Sequence, residues 1–173
     1  MQDLVSPDVA LVLSIIEHID PTRSRRESIE KLINEVLVII AANKEKAYAY
    51  SVSKAKARGL FQFIPRTYGA IRSQYPKAEL IPNFVSGMNH HVNAAKASLL
   101  LFDSDLSALP REKRVDLLKN KVALAEYLAI AYNSGSRRAV RAYQSGSIST
   151  RGLPAETVIY VEKLRKVRLA LQH

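Results

Sequence analysis

The chain has 173 residues, 47% of them hydrophobic, which is enough for a domain with a buried core and too apolar for a disordered protein. It contains no cysteine, which excludes disulfides and thiolate metal sites. The formal net charge is +10, and residues 1–20 hold acidic side chains but no lysine or arginine, so the basic excess of the remainder favours an anionic partner.

The residue usage predicts an all-α protein. Glycine and proline are scarce, at 6 and 7 residues, and β-branched alternation is rare. No run approaches the roughly 20 apolar residues of a membrane span, and no basic-then-apolar signal peptide opens the chain. Without repeats or linkers, the sequence predicts one domain over residues 1–173, made of about seven to nine helices and without an integral membrane segment.

The first helix is predicted over residues 7–19, with Ser6 as N-cap and Pro7 at the first helical position. We expect this helix to pack on the rest of the domain. Residues 24–27, Ser-Arg-Arg-Glu, have the form of a capping box and predict a second helix that runs to about Asn43. Residues 36–42 are apolar on all sides, which predicts that this helix is central and buried.

Glu45 follows the second helix directly, so we expect it at a helix C-terminus in an apolar setting. The alternative is a solvated glutamate at a helix end flanked by Lys44 and Lys46. Further helices are predicted from the 3.6-residue spacing of apolar side chains and from the positions of proline and glycine. They cover residues 57–63, 65–75, 84–101, 116–132 and 136–144, and a last helix opens at Pro154. Loops are predicted over residues 48–53, 77–83, 103–113 and 146–152.

Four short segments then fall in a characteristic order. Residues 53–65 read SKAKARGLFQFIP, a helix begins near Asn89, residues 131–135 read AYNSG, and residues 153–161 read LPAETVIYV. They resemble the S-x-x-G-A-x-G-L-M-Q-x-x-P segment, the following helix, the A-Y-N-x-G motif and the L-P-x-E-T-x-x-Y-V motif of soluble-lytic-transglycosylase (SLT) domains. The resemblance covers roughly residues 30–165, most of the chain.

This resemblance implies a goose-type lysozyme-like α fold, with an SLT-like core over about residues 30–165. It also implies a bacterial murein lytic transglycosylase, a glycan-cleaving lyase of the periplasm or cell envelope. Such an enzyme cleaves the β-1,4 bond between MurNAc and GlcNAc in peptidoglycan strands, needs no cofactor, and leaves 1,6-anhydro-MurNAc ends.

Glu45 is the candidate catalytic residue. It precedes Ser53 by one residue fewer than the family's glutamate precedes the equivalent serine, and Lys56 stands where the family has glycine. Glycosidases commonly use two carboxylates, and residues 45–65 offer no second one. The resemblance accounts for this, because one glutamate there donates the proton, the substrate's 2-acetamido group stabilises the cation, and the same glutamate deprotonates the C6 hydroxyl.

The same resemblance predicts further substrate-binding residues, namely Tyr48, Ser53, Gln62, Tyr132, Asn133 and Tyr160. Structural roles stand beside these assignments. Ser53 suits a helix N-cap and Gln62 a structural hydrogen bond, while Tyr132 and Tyr160 suit core positions and Asn133 a helix C-cap. Gly59 is expected to permit close packing of its segment against a neighbour.

The pair His90–His91 lacks the additional ligands of a metal site, and adjacent helical residues diverge, so no metal is predicted. The basic clusters suit anionic wall polymers and could equally neutralise nucleic-acid phosphates, so a basic helical nucleic-acid-binding protein is a further alternative. Without a nucleic-acid-binding motif we expect no nucleic-acid partner. Two alternative functions share the fold. One is a hydrolytic lysozyme; the other is a non-catalytic peptidoglycan-binding or scaffold domain within a larger cell-envelope, secretion or phage assembly.

Overall fold

A computed structural model describes residues 7–144 and 146–172. It is 68% helical with one small two-stranded sheet, which confirms the all-α prediction. Within these residues nine α-helices are present, and none is long and apolar enough to cross a membrane. The elements are α1 Pro7–Ile16, α2 Ile29–Asn43, α3 Pro65–Gln74, α4 Phe84–Asn89, α5 His91–Ser107, α6 Arg111–Lys119, α7 Lys121–Ser134, α8 Ser136–Ala142, β1 Tyr143–Gln144, β2 Ser147–Ile148 and α9 Ala155–Ala170.

The described chain divides into two compact units. The first comprises residues 10–100, and the second comprises residues 7–9 and 101–172. The expectation of a single domain stays a prediction.

Helix α1 ends at Ile16, earlier than predicted, and Ser6, its predicted N-cap, lies outside the described residues.

In the first unit, α2 starts later than its predicted capping box. Ser28 is the N-cap, and its side chain accepts a hydrogen bond from the backbone N–H of Lys31 at 3.2 Å. Ser24 lies in the preceding turn instead, and Glu27 forms ion pairs with Arg23 at 2.5 Å and with Lys31 at 2.8 Å. The prediction of a capping box at residues 24–27 is therefore wrong, because Glu27 bonds to side chains rather than to the backbone.

The second half of α2 lies at the surface. The buried residues of this helix are confined to its first half, and Val38 and Ile39 are 64% and 40% exposed. The prediction that residues 36–42 are buried on all sides is therefore wrong. In an amphipathic helix the polar face indicates which side is exposed to solvent. A run that is apolar on all sides lacks this indication, so its composition does not predict which of its turns pack against the core.

Residues 57–63 form turns and two isolated antiparallel bridges instead of the predicted short helix. Arg58 pairs with Val52 on one side and with Phe63 on the other. Gly59 at φ +72° and Gln62 at φ +47° adopt left-handed backbone conformations, which a right-handed helix cannot contain.

A buried polar network joins α3, α4 and α5. The Asn93 amide donates to Tyr68 Oη at 2.8 Å and to the Gly87 carbonyl at 2.9 Å. Tyr68 in turn donates to the Ile81 carbonyl at 2.8 Å, and the Ile81 N–H donates to Asn93 Oδ1 at 2.9 Å. The amide nitrogen and the oxygen of the Asn93 side chain thus both have hydrogen-bond partners inside the network. The burial of this asparagine therefore leaves no polar atom of its side chain unpaired.

The predicted helix over residues 84–101 is divided at His90, and its second part continues to Ser107. His90 has extended backbone angles, and its Nδ1 accepts a hydrogen bond from the Asn93 N–H at 3.2 Å. This side-chain bond caps the new helix and explains the break. The loop predicted over residues 103–113 is wrong, because α5 and α6 occupy most of it.

Helix α7 forms the core of the second unit. Residues 123–131 are buried without interruption, and α7 packs against α6, α8 and α9. Asn120 separates α6 from α7, because its Oδ1 accepts hydrogen bonds from the N–H groups of Val122 and Ala123, both at 3.1 Å. Gly135, at φ +91°, is the C-cap of α7, and Asn133 lies inside the helix instead of capping it.

The strands β1 and β2 form a short antiparallel hairpin after α8, with Tyr143 opposite Ile148. The predicted helix over residues 136–144 is thus shorter than expected, and the loop predicted over residues 146–152 contains a strand.

Between α7 and α9, the Arg165 guanidinium donates two hydrogen bonds, of 2.7 and 3.0 Å, to the carboxylate of Glu126.

Candidate functional site

Glu45 lies on the 3₁₀ turn Lys44–Lys46 that follows α2 directly. Lys44 has φ +48°, and this left-handed residue ends the α-helix and redirects the chain. Glu45 is exposed, so the apolar setting expected for it is wrong, because the last turns of α2 are themselves exposed. Its carboxylate forms no ion pair with any residue of the described ranges.

Glu45 nevertheless lines a cleft of about 350 Å³ in the first unit. The other lining residues come from the end of α4 and the start of α5, and they are mostly polar: Ser86, Asn89, His90, His91 and Val92. Sequence reasoning did not associate these residues with Glu45. A signal present in the sequence is the adjacent pair His90–His91, which does not by itself indicate a sugar-binding wall.

Hydrogen bonds fix complementary roles for the two histidines in their neutral forms. His91 Nε2 lies 2.8 Å from the Ala47 carbonyl, which can only accept, so Nε2 carries the proton and Nδ1 is an acceptor. His90 Nδ1 accepts from the Asn93 N–H, so its Nε2 carries the proton and is a donor. The two histidines that line the cleft thus keep one further donor, His90 Nε2–H, and one further acceptor, His91 Nδ1.

Tyr48 is half-buried at φ +56°, and its ring stacks on His18 with centroids 3.5 Å apart and planes inclined by 10°. Burial lowers the pKa of His18 to about 4, partly opposed by its hydrogen bond of 3.0 Å to the Leu60 carbonyl. Burial also raises the pKa of the Tyr48 hydroxyl. Both rings are therefore uncharged at neutral pH, and the stack holds Tyr48 against His18.

Ser53 closes a turn rather than starting a helix. Its Oγ accepts from the Ala57 N–H at 3.0 Å, and its own N–H donates to the Ala57 carbonyl at 3.0 Å. Lys56 lies in this turn at φ +62°, a left-handed conformation that glycine adopts more easily. The position at which SLT domains have glycine therefore has a glycine-like backbone here.

Gln62 stabilises the next turn. Its Nε2 donates to the Gly59 carbonyl at 2.9 Å and to Ser51 Oγ at 3.1 Å. A Cβ on Gly59 would lie 2.4 Å from the Met88 carbonyl oxygen, so only glycine allows this close approach of the turn to α4. The predicted packing role of Gly59 is confirmed.

The other three predicted residues lie in the second unit. Tyr132 is half-buried on α7, edge-on to Phe102 with centroids 6.2 Å apart, and Tyr160 is buried on α9. Asn133 is exposed within the last turn of α7, and its Oδ1 accepts from Thr157 Oγ1 at 2.8 Å. This bond brings together the AYNSG and LPAETVIYV segments, two of the four that carry the resemblance.

Among residues 7–144 and 146–172, no group of three or more histidine, aspartate or glutamate side chains is arranged to hold a metal ion. Comparison of the chain with protein-family models, with curated proteins and with solved structures gives no match.

Proposed function

We propose that the chain is a peptidoglycan lytic transglycosylase domain with a lysozyme-like fold. The observation that supports this most directly is the cleft of the first unit, which Glu45 lines without a second carboxylate among the described lining residues. A single acid suits a reaction in which the substrate itself supplies the stabilising group and the nucleophile. The two-carboxylate schemes need a partner for the acid.

In the proposed reaction, Glu45 donates its proton to the oxygen of the MurNAc–GlcNAc β-1,4 bond, which breaks. The 2-acetamido group of MurNAc stabilises the positive charge at C1. The resulting carboxylate then removes the proton of the MurNAc C6 hydroxyl, and the oxygen closes on C1. No water is consumed, the acid is regenerated, and the product end is 1,6-anhydro-MurNAc.

The polar groups of the cleft match the needs of a sugar. Hydroxyl and acetamido groups both donate and accept, and His90 Nε2–H and His91 Nδ1 supply one partner of each kind. Under this proposal Tyr48, Ser53 and Gln62 contact the glycan or hold the turns that shape its path.

Two further observations support the SLT assignment. Lys56 keeps a left-handed backbone where the family has glycine, which favours the alignment through this turn. The Asn133–Thr157 hydrogen bond joins two motifs that are far apart in sequence. We accordingly assign Tyr132, Asn133 and Tyr160 to substrate binding as part of the same proposal.

The proposed partner is the glycan strand of peptidoglycan, and the proposed location is the bacterial periplasm or cell envelope. The net charge of +10 favours association with an anionic wall, since its attraction acts before any specific contact forms. The domain could perform this role as part of a larger cell-envelope, secretion or phage assembly.

Replacing Glu45 by glutamine tests the proposal. Purified protein is incubated with murein sacculi, and the soluble products are analysed by mass spectrometry. We expect anhydro-muropeptides from the unmodified protein and a loss of about 10²-fold or more in Glu45→Gln, because the proton donor is removed. Glu30→Gln, the same change on the exposed first turn of α2, serves as the control and should retain activity.

Full activity in Glu45→Gln would refute the assignment of the acid, and products ending in reducing MurNAc would instead identify a hydrolytic lysozyme. A second candidate function is a non-catalytic peptidoglycan-binding domain. The exposure of Glu45 on a turn between Lys44 and Lys46 favours it, because a general acid must be held in place against the leaving oxygen and no described contact holds this side chain. Co-sedimentation with sacculi without any released product would support that alternative.

A further inference from the structure

Arginine provides three of the six residues that line a second cleft, in the unit of residues 7–9 and 101–172. The surrounding stretch of sequence, residues 134–155, contains four arginines and neither aspartate nor glutamate. Such an uncompensated run of one charge is unusual for a surface that has only to be soluble, where both signs are normally mixed.

The cleft has a volume of about 340 Å³ and lies between α8 and the loop that follows β2. A hydrogen bond of 2.8 Å from the Ser149 N–H to the Ala142 carbonyl fixes this loop to the end of α8. Its lining residues are Arg138, Arg141, Ala142, Arg151, Gly152 and Leu153. We call this the arginine cleft.

The three guanidinium groups of the arginine cleft have no anionic partner within the described part of the chain. Arg138 Nη1 donates to the Ser134 carbonyl at 2.9 Å, and Arg141 Nε donates to the Arg137 carbonyl at 3.3 Å. None of the three forms an ion pair with a described residue. Three like charges around one concavity repel one another. A bound anion would therefore reduce the electrostatic repulsion that is present in the unliganded protein.

The chemistry of these groups favours phosphate over carboxylate. Each guanidinium presents a planar fork of N–H donors that binds two oxygens of one phosphate, and three such forks exceed what a single carboxylate can accept. We propose that the arginine cleft binds a phosphate group carried by a small ligand or a polymer. This site is independent of Glu45 and of the transglycosylase proposal.

Titration of the whole chain with inorganic pyrophosphate at constant ionic strength tests this proposal. The arginine Nε–Hε signals are followed by NMR, and acetate at the same ionic strength serves as the carboxylate comparison. We expect saturable shifts with pyrophosphate only. Arg138→Gln and Arg151→Gln should each weaken binding about tenfold, because each removes charge-assisted hydrogen bonds.

Arg137→Gln is the matched control, since Arg137 neighbours Arg138 on α8 and is exposed, yet does not line the arginine cleft. We expect it to weaken binding less than about twofold, as for a change in distant surface charge. Circular dichroism verifies that each variant is folded. Sacculus digestion by Arg138→Gln should match that of the unmodified protein if the enzyme proposal also holds.

Absence of saturable pyrophosphate binding would overturn the proposal. So would an equal loss in all three variants, which would indicate diffuse surface charge. A single-stranded oligonucleotide that binds better than pyrophosphate and is weakened equally by the three substitutions would point to non-specific nucleic-acid binding, and would overturn the proposal as well.

Discussion

The side chain of Asp105 on α5 carries a buried carboxyl group, for which ionisation is unfavourable. The residue is 7% exposed, its Oδ2 is buried without a hydrogen-bond partner among the described residues, and burial raises its pKa to about 7. Tyr127 donates to the main-chain carbonyl of Asp105 at 2.8 Å and thus does not compensate the side chain. The native state therefore favours the protonated acid.

This burial predicts a pH-dependent loss of stability. The folded-state pKa is above that of the unfolded chain, so the native state binds the proton more tightly. The free energy of unfolding should fall as pH rises from about 4 to about 7, by up to ~1.4 kcal/mol per pH unit, and then level off. Asp105→Asn cannot ionise, so it should be more stable than the unmodified protein at pH 8 by roughly 2–4 kcal/mol.

Urea unfolding between pH 4 and pH 8 measures this difference. Asp103→Asn makes the same change at an exposed position of the same helix. It serves as the control for the loss of one negative charge, because that loss is common to both variants. A constant difference between the two variants across this range would contradict the prediction. It would mean that Asp105 stays solvated or paired in solution.

At the scale of single elements, the turn at Gly59 and helix α3 respond oppositely to the same substitution. Gly59→Ala places a Cβ against the Met88 carbonyl and keeps a strained φ of +72°, so it should destabilise by about 2–4 kcal/mol. Gly69 lies within α3, and a Cβ added there would meet no atom within 4 Å, so Gly69→Ala should stabilise by about 0.5–1 kcal/mol. The urea midpoints of the two variants give the comparison, and equal shifts would exclude the close contact at Met88.

The helices were largely predictable from the sequence, and their interruptions were not. Apolar spacing continues across His90 and Asn120, yet both positions break a helix, because their side chains accept backbone N–H groups and start a new one. The same competition moved the start of α2 from Ser24 to Ser28. Such local hydrogen bonds depend on side-chain placement, which periodicity does not encode.

The candidate site was predictable only in part. Glu45 and residues 59–62 follow from motif spacing, whereas the wall of the cleft does not. His91 meets the Ala47 carbonyl across a sequence separation of 44 residues, and no pattern in either segment indicates this pairing. The sequence does not decide between an apolar and a solvated setting for Glu45, because the end of α2 has no polar face to reveal which side is covered.

At the scale of the whole molecule, the two units are stabilised by different means. The unit of residues 10–100 relies on buried hydrogen bonds around Asn93 and on ring contacts around Tyr68, with Phe63 and Phe84 at centroid distances of 6.4 and 5.7 Å. The other unit encloses one apolar helix, α7, among its neighbours. The net charge of +10 opposes compaction through self-repulsion, so both kinds of contact must overcome it.

The uninterrupted burial of residues 123–131 in α7 has a consequence for solvent access to the backbone. The amide protons of this helix can exchange with deuterium only when its neighbours separate, so their protection factors should approach the limit set by unfolding of the unit. Amides of residues 38–43 at the exposed end of α2 should exchange orders of magnitude sooner, through local fraying. Exchange followed by mass spectrometry would measure both, and equal protection of the two segments would reveal that the exposed end of α2 is covered in solution.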